Sequence, residues 1–179
     1  MEKRVFIMTF DEDSKSYQAF SELKGMHVKK KVNLEHLAVV KNEKEAEKFD
    51  VKDFLDLTGA DKTARGSFIG LFVGILGGPL GMLLGWMSGT FIGARKDARE
   101  IKDAVSVFEE TLSMITPGKT GLIVIGAAES RDPLRDYIED ELGGRMLQLD
   151  LELVMDQVER ARETERELRK EARRKMFRE

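Results

Sequence analysis

The chain contains no cysteine. Disulfide scaffolds, thiolate zinc sites, iron–sulfur clusters and cysteine nucleophiles are therefore excluded. Histidine is nearly as scarce: His27 and His36 are the 2 in 179 residues, which removes a histidine-rich metal site. Neither sign of charge dominates. Lys and Arg number 30 against 33 Asp and Glu, so the net charge of -3 gives no global argument for nucleic acid. A leader-like apolar run is also missing, because Val5 to Phe10 is already closed by Asp11. With no cysteine to suggest an oxidising compartment, a cytoplasmic address for the polar parts is the expectation.

What is present is uneven. Hydrophobic residues make up 41% of the chain and charged residues 35%, enough apolar matter for one domain with an insertion and a tail. Of the 16 glycines, 9 fall between Gly66 and Gly93, and the 29 residues between Arg65 and Arg95 carry no ionisable side chain. Of the last 24 residues, 16 are charged.

Hydrophobic periodicity lays out the flanks. Val5-Phe-Ile-Met-Thr-Phe10 reads as a buried strand. Asp11 to Ser14 offer caps for a helix through Tyr17, Phe20, Leu23 and Lys24, with Gly25 near its stop. Leu34 to Val40 reads as a second strand, and Phe49 to Phe54 as a short return strand. Beyond the uncharged segment, Ile101, Ala104, Val105, Phe108 and Leu112 mark a helix over Asp97–Thr116, ended by Pro117-Gly118. Gly121 to Gly126 is a buried strand. Asp132-Pro133 opens a helix that runs to Gly143-Gly144, and Arg145 to Leu149 is the last strand. Strand, acidic cap, helix, strand thus occurs twice, the βαβ/βαβ pattern of a ferredoxin-like α+β domain. The expected organisation is a first βαβ half over 1–61, a hairpin insertion over 62–96, a helix plus second half over 97–150, and a charged C-terminal helix over 151–179.

In the uncharged segment Gly66, Gly70 and Gly74 recur every four residues, as do Gly81, Gly85, Gly89 and Gly93. That spacing puts glycine on one helix face and allows a second backbone to approach. The expectation is a glycine-zipper hairpin of two helices, Thr63–Leu76 and Leu80–Arg95, turning at Gly77-Gly78-Pro79. Each helix would be about 21–24 Å long, short of a hydrocarbon core of about 30 Å. Lys62 and Arg65 before the segment, and Arg95 and Lys96 after it, would be interfacial anchors of a hairpin whose two ends lie on one side of a membrane.

Val5-Phe-Ile-Met-Thr-Phe-Asp11, Leu37-Ala-Val-Val-Lys41 and Gly74-Ile-Leu-Gly-Gly-Pro-Leu-Gly81 inside a glycine ladder resemble the uncharacterised prokaryotic domain-of-unknown-function family 1269. Its members are commonly described as predicted membrane proteins. The similarity spans roughly residues 3–150. It implies an α+β domain carrying a zipper hairpin and brings no catalytic residues.

Other motifs are weak. Gly118-Lys119-Thr120 has the end of a phosphate-binding loop, but Ser113 stands where that loop needs glycine, and a helix precedes it. Asp136, Glu139, Asp140 and Glu141 read as a solvated helix face. In the tail, Leu151, Val154, Val158, Ala161, Leu168 and Ala172 form a thin apolar stripe interrupted by Glu165, and the basic end Arg173 to Arg178 suits an anionic surface. No catalytic, cofactor-binding or metal-ligating set emerges. The expectation is a non-enzymatic protein that associates with itself and with lipid through the hairpin, on the cytoplasmic side of the cell membrane, without nucleic acid. The alternatives are a cytoplasmic oligomer with its hairpins buried in a shared core, and a ferredoxin-like small-molecule sensor.

Overall fold

A computed structural model describes residues 1–43, 48–60, 67–87 and 96–178. The order along the chain is β1 (Lys3–Thr9), α1 (Asp13–Val28), β2 (Leu34–Glu43), β3 (Lys48–Asp56), α2 (Phe68–Leu76), α3 (Pro79–Met87), α4 (Lys96–Met114), β4 (Thr120–Ala127), α5 (Arg131–Arg135), β5 (Arg145–Asp150) and α6 (Leu151–Met176). The architecture is α+β, with a five-stranded antiparallel sheet in the order β3-β2-β4-β1-β5 and a long C-terminal helix.

The two strand–helix–strand units interleave. β1 and β2, joined by α1, both pair with β4 between them. β4 and β5, joined through α5, both pair with β1. β3 adds to the outer edge of β2, with a register shift between Val39 and Val40.

Both faces of the sheet are covered, which explains strands that are apolar throughout rather than alternating with polar residues. Along β1, Val5 and Ile7 enter one core while Phe6 and Met8 enter the other. In β4, Ile123 and Ile125 alternate in the same way with Leu122 and Val124. The first core is completed by α2, α3, α4 and α6, and the second by α1, α5 and the residues after it.

Boundaries and faces differ in places from the periodicity. α1 buries Ser16, Ala19 and Leu23, while Tyr17 is exposed. Two small side chains let the helix lie close to the sheet, and the Ser16 hydroxyl donates to the Thr120 carbonyl at 3.3 Å. The helix also passes Gly25 and ends at Val28. Asp132-Pro133 lies in a short α5 that continues as a π-helical turn over Asp136–Glu141, burying Leu134 and Ile138. Gly118-Lys119-Thr120 is the turn from α4 into β4, with Gly118 at φ 83. A helix precedes and a strand follows, the reverse of a phosphate-binding loop.

Candidate functional site

The described part of the uncharged segment forms two helices, α2 and α3, broken at Gly77-Gly78, and the first is shorter than the Thr63–Leu76 that the glycine spacing implies. The Ser67 side chain caps α2 by accepting the Gly70 N–H at 3.2 Å, so the helix begins at Phe68. Gly77 closes it, and Pro79 opens α3, where a missing N–H costs nothing. Gly66, Gly89, Gly93, Lys62, Arg65 and Arg95 lie outside the described residues. Gly85 falls within α3, and Lys96 is the first residue of α4.

The described glycines of the hairpin do different jobs. A Cβ on Gly81 would stand 1.8 Å from the Leu76 carbonyl oxygen, so the first turn of α3 folds directly onto the end of α2. A Cβ on Gly77 would lie 2.7 Å from the backbone nitrogen of Phe49 in β3. At Gly78 it would meet a Glu165 carboxylate oxygen at 2.3 Å. Gly74, by contrast, has nothing within 4 Å of the same position. Of these four, the close-packing glycines lie at the turn, and Gly74 opposes no other backbone among the described residues.

Most of the large side chains described in the hairpin turn inward. Ile69, Phe72, Val73, Ile75, Leu76, Leu80 and Leu84 are buried in the core that also holds Val5, Ile7, Val105, Phe108, Val154 and Val158. Phe72 packs on Phe108 of α4 with ring centroids 5.3 Å apart. Among the described residues, the outward positions include Gly74, Leu71 at 38% exposure and Met82 at 40%.

α6 locks the hairpin from above. Its stripe buries Val154, Gln157, Val158 and Ala161, and Gln157 reaches α4, where its side-chain oxygen accepts the Val107 N–H at 2.9 Å. Asp150 caps α6, accepting from the N–H groups of Glu152 and Leu153. The Leu153 N–H contributes most to holding the Asp150 carboxyl below its ordinary value, with Arg4 alongside.

Glu165 is the residue the sequence reading passed over as an interruption. It is 8% exposed, and its carboxylate meets the first turn of α3, where the Leu80 N–H donates to it. A negative group suits a helix N-terminus. Its Oε1 is buried without a hydrogen-bond partner among the described residues, and Arg169 lies 3.8 Å from its other oxygen. Burial raises the Glu165 carboxyl above its ordinary value, with the Leu80 N–H and Arg169 pulling the other way. The signal was available as a lone acid on an otherwise apolar stripe.

Elsewhere His36 and Asp56 are partnered within the fold. His36 Nε2 sits 3.6 Å from an Asp56 oxygen, and its ring stacks on Phe54. Thr58 donates to Asp56 and lowers its carboxyl, with His36 a smaller contributor. Asp136, Glu139, Asp140 and Glu141 are exposed. Among the described residues, no group of three His, Asp or Glu could hold a metal ion, and no helix is long and apolar enough to cross a membrane. Compared with protein-family models, with curated proteins and with solved structures, the chain matches none of them.

Proposed function

We propose that this is a non-enzymatic, self-associating protein in which the glycine hairpin is a protein-packing element. The observation that carries this reading is the hairpin's outer surface. In a chain with 35% charged residues, it exposes Leu71, Gly74 and Met82 from a segment without one ionisable group. An uncharged surface of this kind favours another apolar surface over water. The open space at Gly74 fits a second copy approaching in the manner of a zipper.

Two features favour protein over lipid as the hairpin's main environment. Among its described side chains, Ile69, Phe72, Ile75, Leu76 and Leu80 fill the chain's own core. The helix whose two ends are both described, α2, has nine residues and is about 13 Å long, against about 30 Å of hydrocarbon. Contact with a membrane surface fits better at the end of α6, where Arg173, Arg174, Lys175 and Arg178 surround Met176 and Phe177, both at least 80% exposed. The finer fold reading is ferredoxin-like: with β3 set aside, the order β2-β4-β1-β5 and the two interleaved units support it. We propose membership of domain-of-unknown-function family 1269 on the same residues as before.

Sizing by light scattering decides the matter. The native chain is expected to run as an oligomer that Leu71→Glu and Gly74→Glu each dissociate without loss of helical signal. Unchanged size in both variants, or a native monomer, would sink the reading. Flotation with liposomes then separates a soluble assembly from one held at lipid.

A further inference from the structure

A cleft lies on the far side of the molecule from the hairpin, between the turn that joins α1 to β2 and the residues that follow β4. It is an open cleft of about 830 Å³, within the volume range of small-molecule sites. His27, Lys30, Lys31, Asn33, Glu129 and Ser130 line it, together with two valines.

The backbone at its mouth is unusual. α1 ends with the Lys31 N–H donating to the Met26 carbonyl and the Lys30 N–H to the His27 carbonyl, the paired bonds of a helix stop that ordinarily puts glycine in the left-handed position. Here that position is Lys30, at φ 58, and it is the non-glycine residue with positive φ among the described residues. A lysine is thus held where glycine would be relaxed, and strain of this kind gathers at binding sites. The adjoining polar groups are set. His27 Nδ1 accepts the Leu34 N–H at 3.0 Å, which leaves the proton of the neutral ring on Nε2. The Ser130 hydroxyl oxygen accepts the Asn33 N–H at 2.8 Å and donates to the Asn33 carbonyl at 3.3 Å, tying the two walls together.

What the cleft offers a ligand is therefore rich in donors: two ammonium groups, an imidazole N–H and the Asn33 amide, against the single carboxylate of Glu129. Lysine ammonium groups bind phosphate as point charges. Val28 and Val32 give an apolar wall for an organic remainder, and the volume exceeds what a bare anion needs. We propose that this cleft binds a phosphorylated small molecule, its phosphate held by Lys30 and Lys31. The proposal does not depend on self-association through the hairpin, which involves other residues.

The test is titration calorimetry on the full chain with AMP, glucose 6-phosphate and inorganic phosphate, with adenosine and glucose as uncharged counterparts. Vesicles of phosphatidic acid in phosphatidylcholine distinguish a lipid phosphate from a soluble one. At least one phosphorylated probe is expected to bind saturably with Kd below about 1 mM, and its uncharged counterpart not to bind. Lys30→Gly should weaken that binding about tenfold or more while raising the chain's own melting temperature. Lys31→Gln should weaken it as well, and Glu129→Gln should tighten it. Were the lysines present only to offset the carbonyl end of α1, no probe would bind saturably. That result, or full binding by Lys30→Gly, overturns the proposal. Binding to the vesicles alone places the phosphate on a lipid if Lys30→Gly abolishes it; if it survives Lys30→Gly it belongs to the basic end of α6 and overturns the proposal.

Discussion

Glycine has opposite meanings at Gly74 and Gly81, two turns of helix apart in sequence. At Gly81 a methyl group would collide with a carbonyl oxygen that belongs to the end of α2, so Gly81→Ala must push the two helices apart. Overpacking of this kind costs about 1–3 kcal/mol. At Gly74 the space is open and the residue is helical, so Gly74→Ala should gain about 0.5–1 kcal/mol from the smaller backbone entropy of alanine. Urea unfolding of the two variants, each made in the Leu71→Glu background so that association does not enter, should move the midpoint in opposite directions; movement in the same direction would show that the hairpin packs differently. Lys30 is a third backbone case. Replacing it with glycine should stabilise the chain by about 1 kcal/mol, since only glycine occupies that conformation without penalty.

Glu165 belongs to the same scale and carries a pH dependence. Its carboxyl is raised in the fold above the ordinary 4.5. The folded state therefore holds its proton more tightly than the unfolded chain, and this contribution is fully present below pH 4.5 and lost as pH rises through the raised value. Asp56 and Asp150 are shifted the other way, so the native curve alone mixes signs. The informative quantity is the difference from Glu165→Gln, which no longer titrates. Relative to that variant, the native chain should gain stability as pH falls from 7 to 4.5. A difference that stays flat would mean that the carboxylate is solvated rather than packed against α3.

At the scale of elements, α6 is two helices in one. From Leu151 to Glu165 it carries buried positions every three or four residues. From Arg169 to Arg178 every position is exposed, and the stripe continues only as Ala172 and Met176, with nothing against them among the described residues. Removing residues 169–178 should leave the unfolding midpoint nearly unchanged. Removing 160–178 takes Ala161 and Glu165 as well and uncovers the hairpin turn, so a loss of several kcal/mol, of the order of deleting two buried groups, is expected in the same melt. Equal midpoints for both truncations would show that the second half of the buried stripe contributes nothing.

The elements also show what was legible from sequence. The strands announced themselves as apolar runs bounded by turn residues, and each is found within a few residues of its expected ends. The hairpin turn was legible because Gly77-Gly78-Pro79 combines a permissive stop with a start that lacks an N–H. The buried face of α1 was not, since Ser16 and Ala19 are chosen for size rather than hydrophobicity. Nor was its end, because a lysine does there what glycine usually does. The direction of the hairpin's large residues was hidden for another reason. A helix that is apolar nearly all round carries no period to say which side meets the core. Glu165 was visible as an oddity, but its partner, the Leu80 N–H, comes from a helix 85 residues earlier and leaves no local pattern.

For the whole molecule, the interleaved order of the sheet sets when it can exist. β1 finds its first neighbour in β4, where Lys3 faces Ala127 and Thr9 faces Gly121. Its other neighbour, β5, comes later still. β2 can form its hairpin with β3 at once, but β1 must wait for most of the polypeptide to leave the ribosome. Pairings this distant in the chain are slow to close, and they leave Val5-Phe-Ile-Met with neither edge satisfied during synthesis. Nascent chains stalled before residue 120 should therefore be protease-sensitive and captured by a holdase chaperone, and release should coincide with emergence of β4 and not with completion of the first 61 residues.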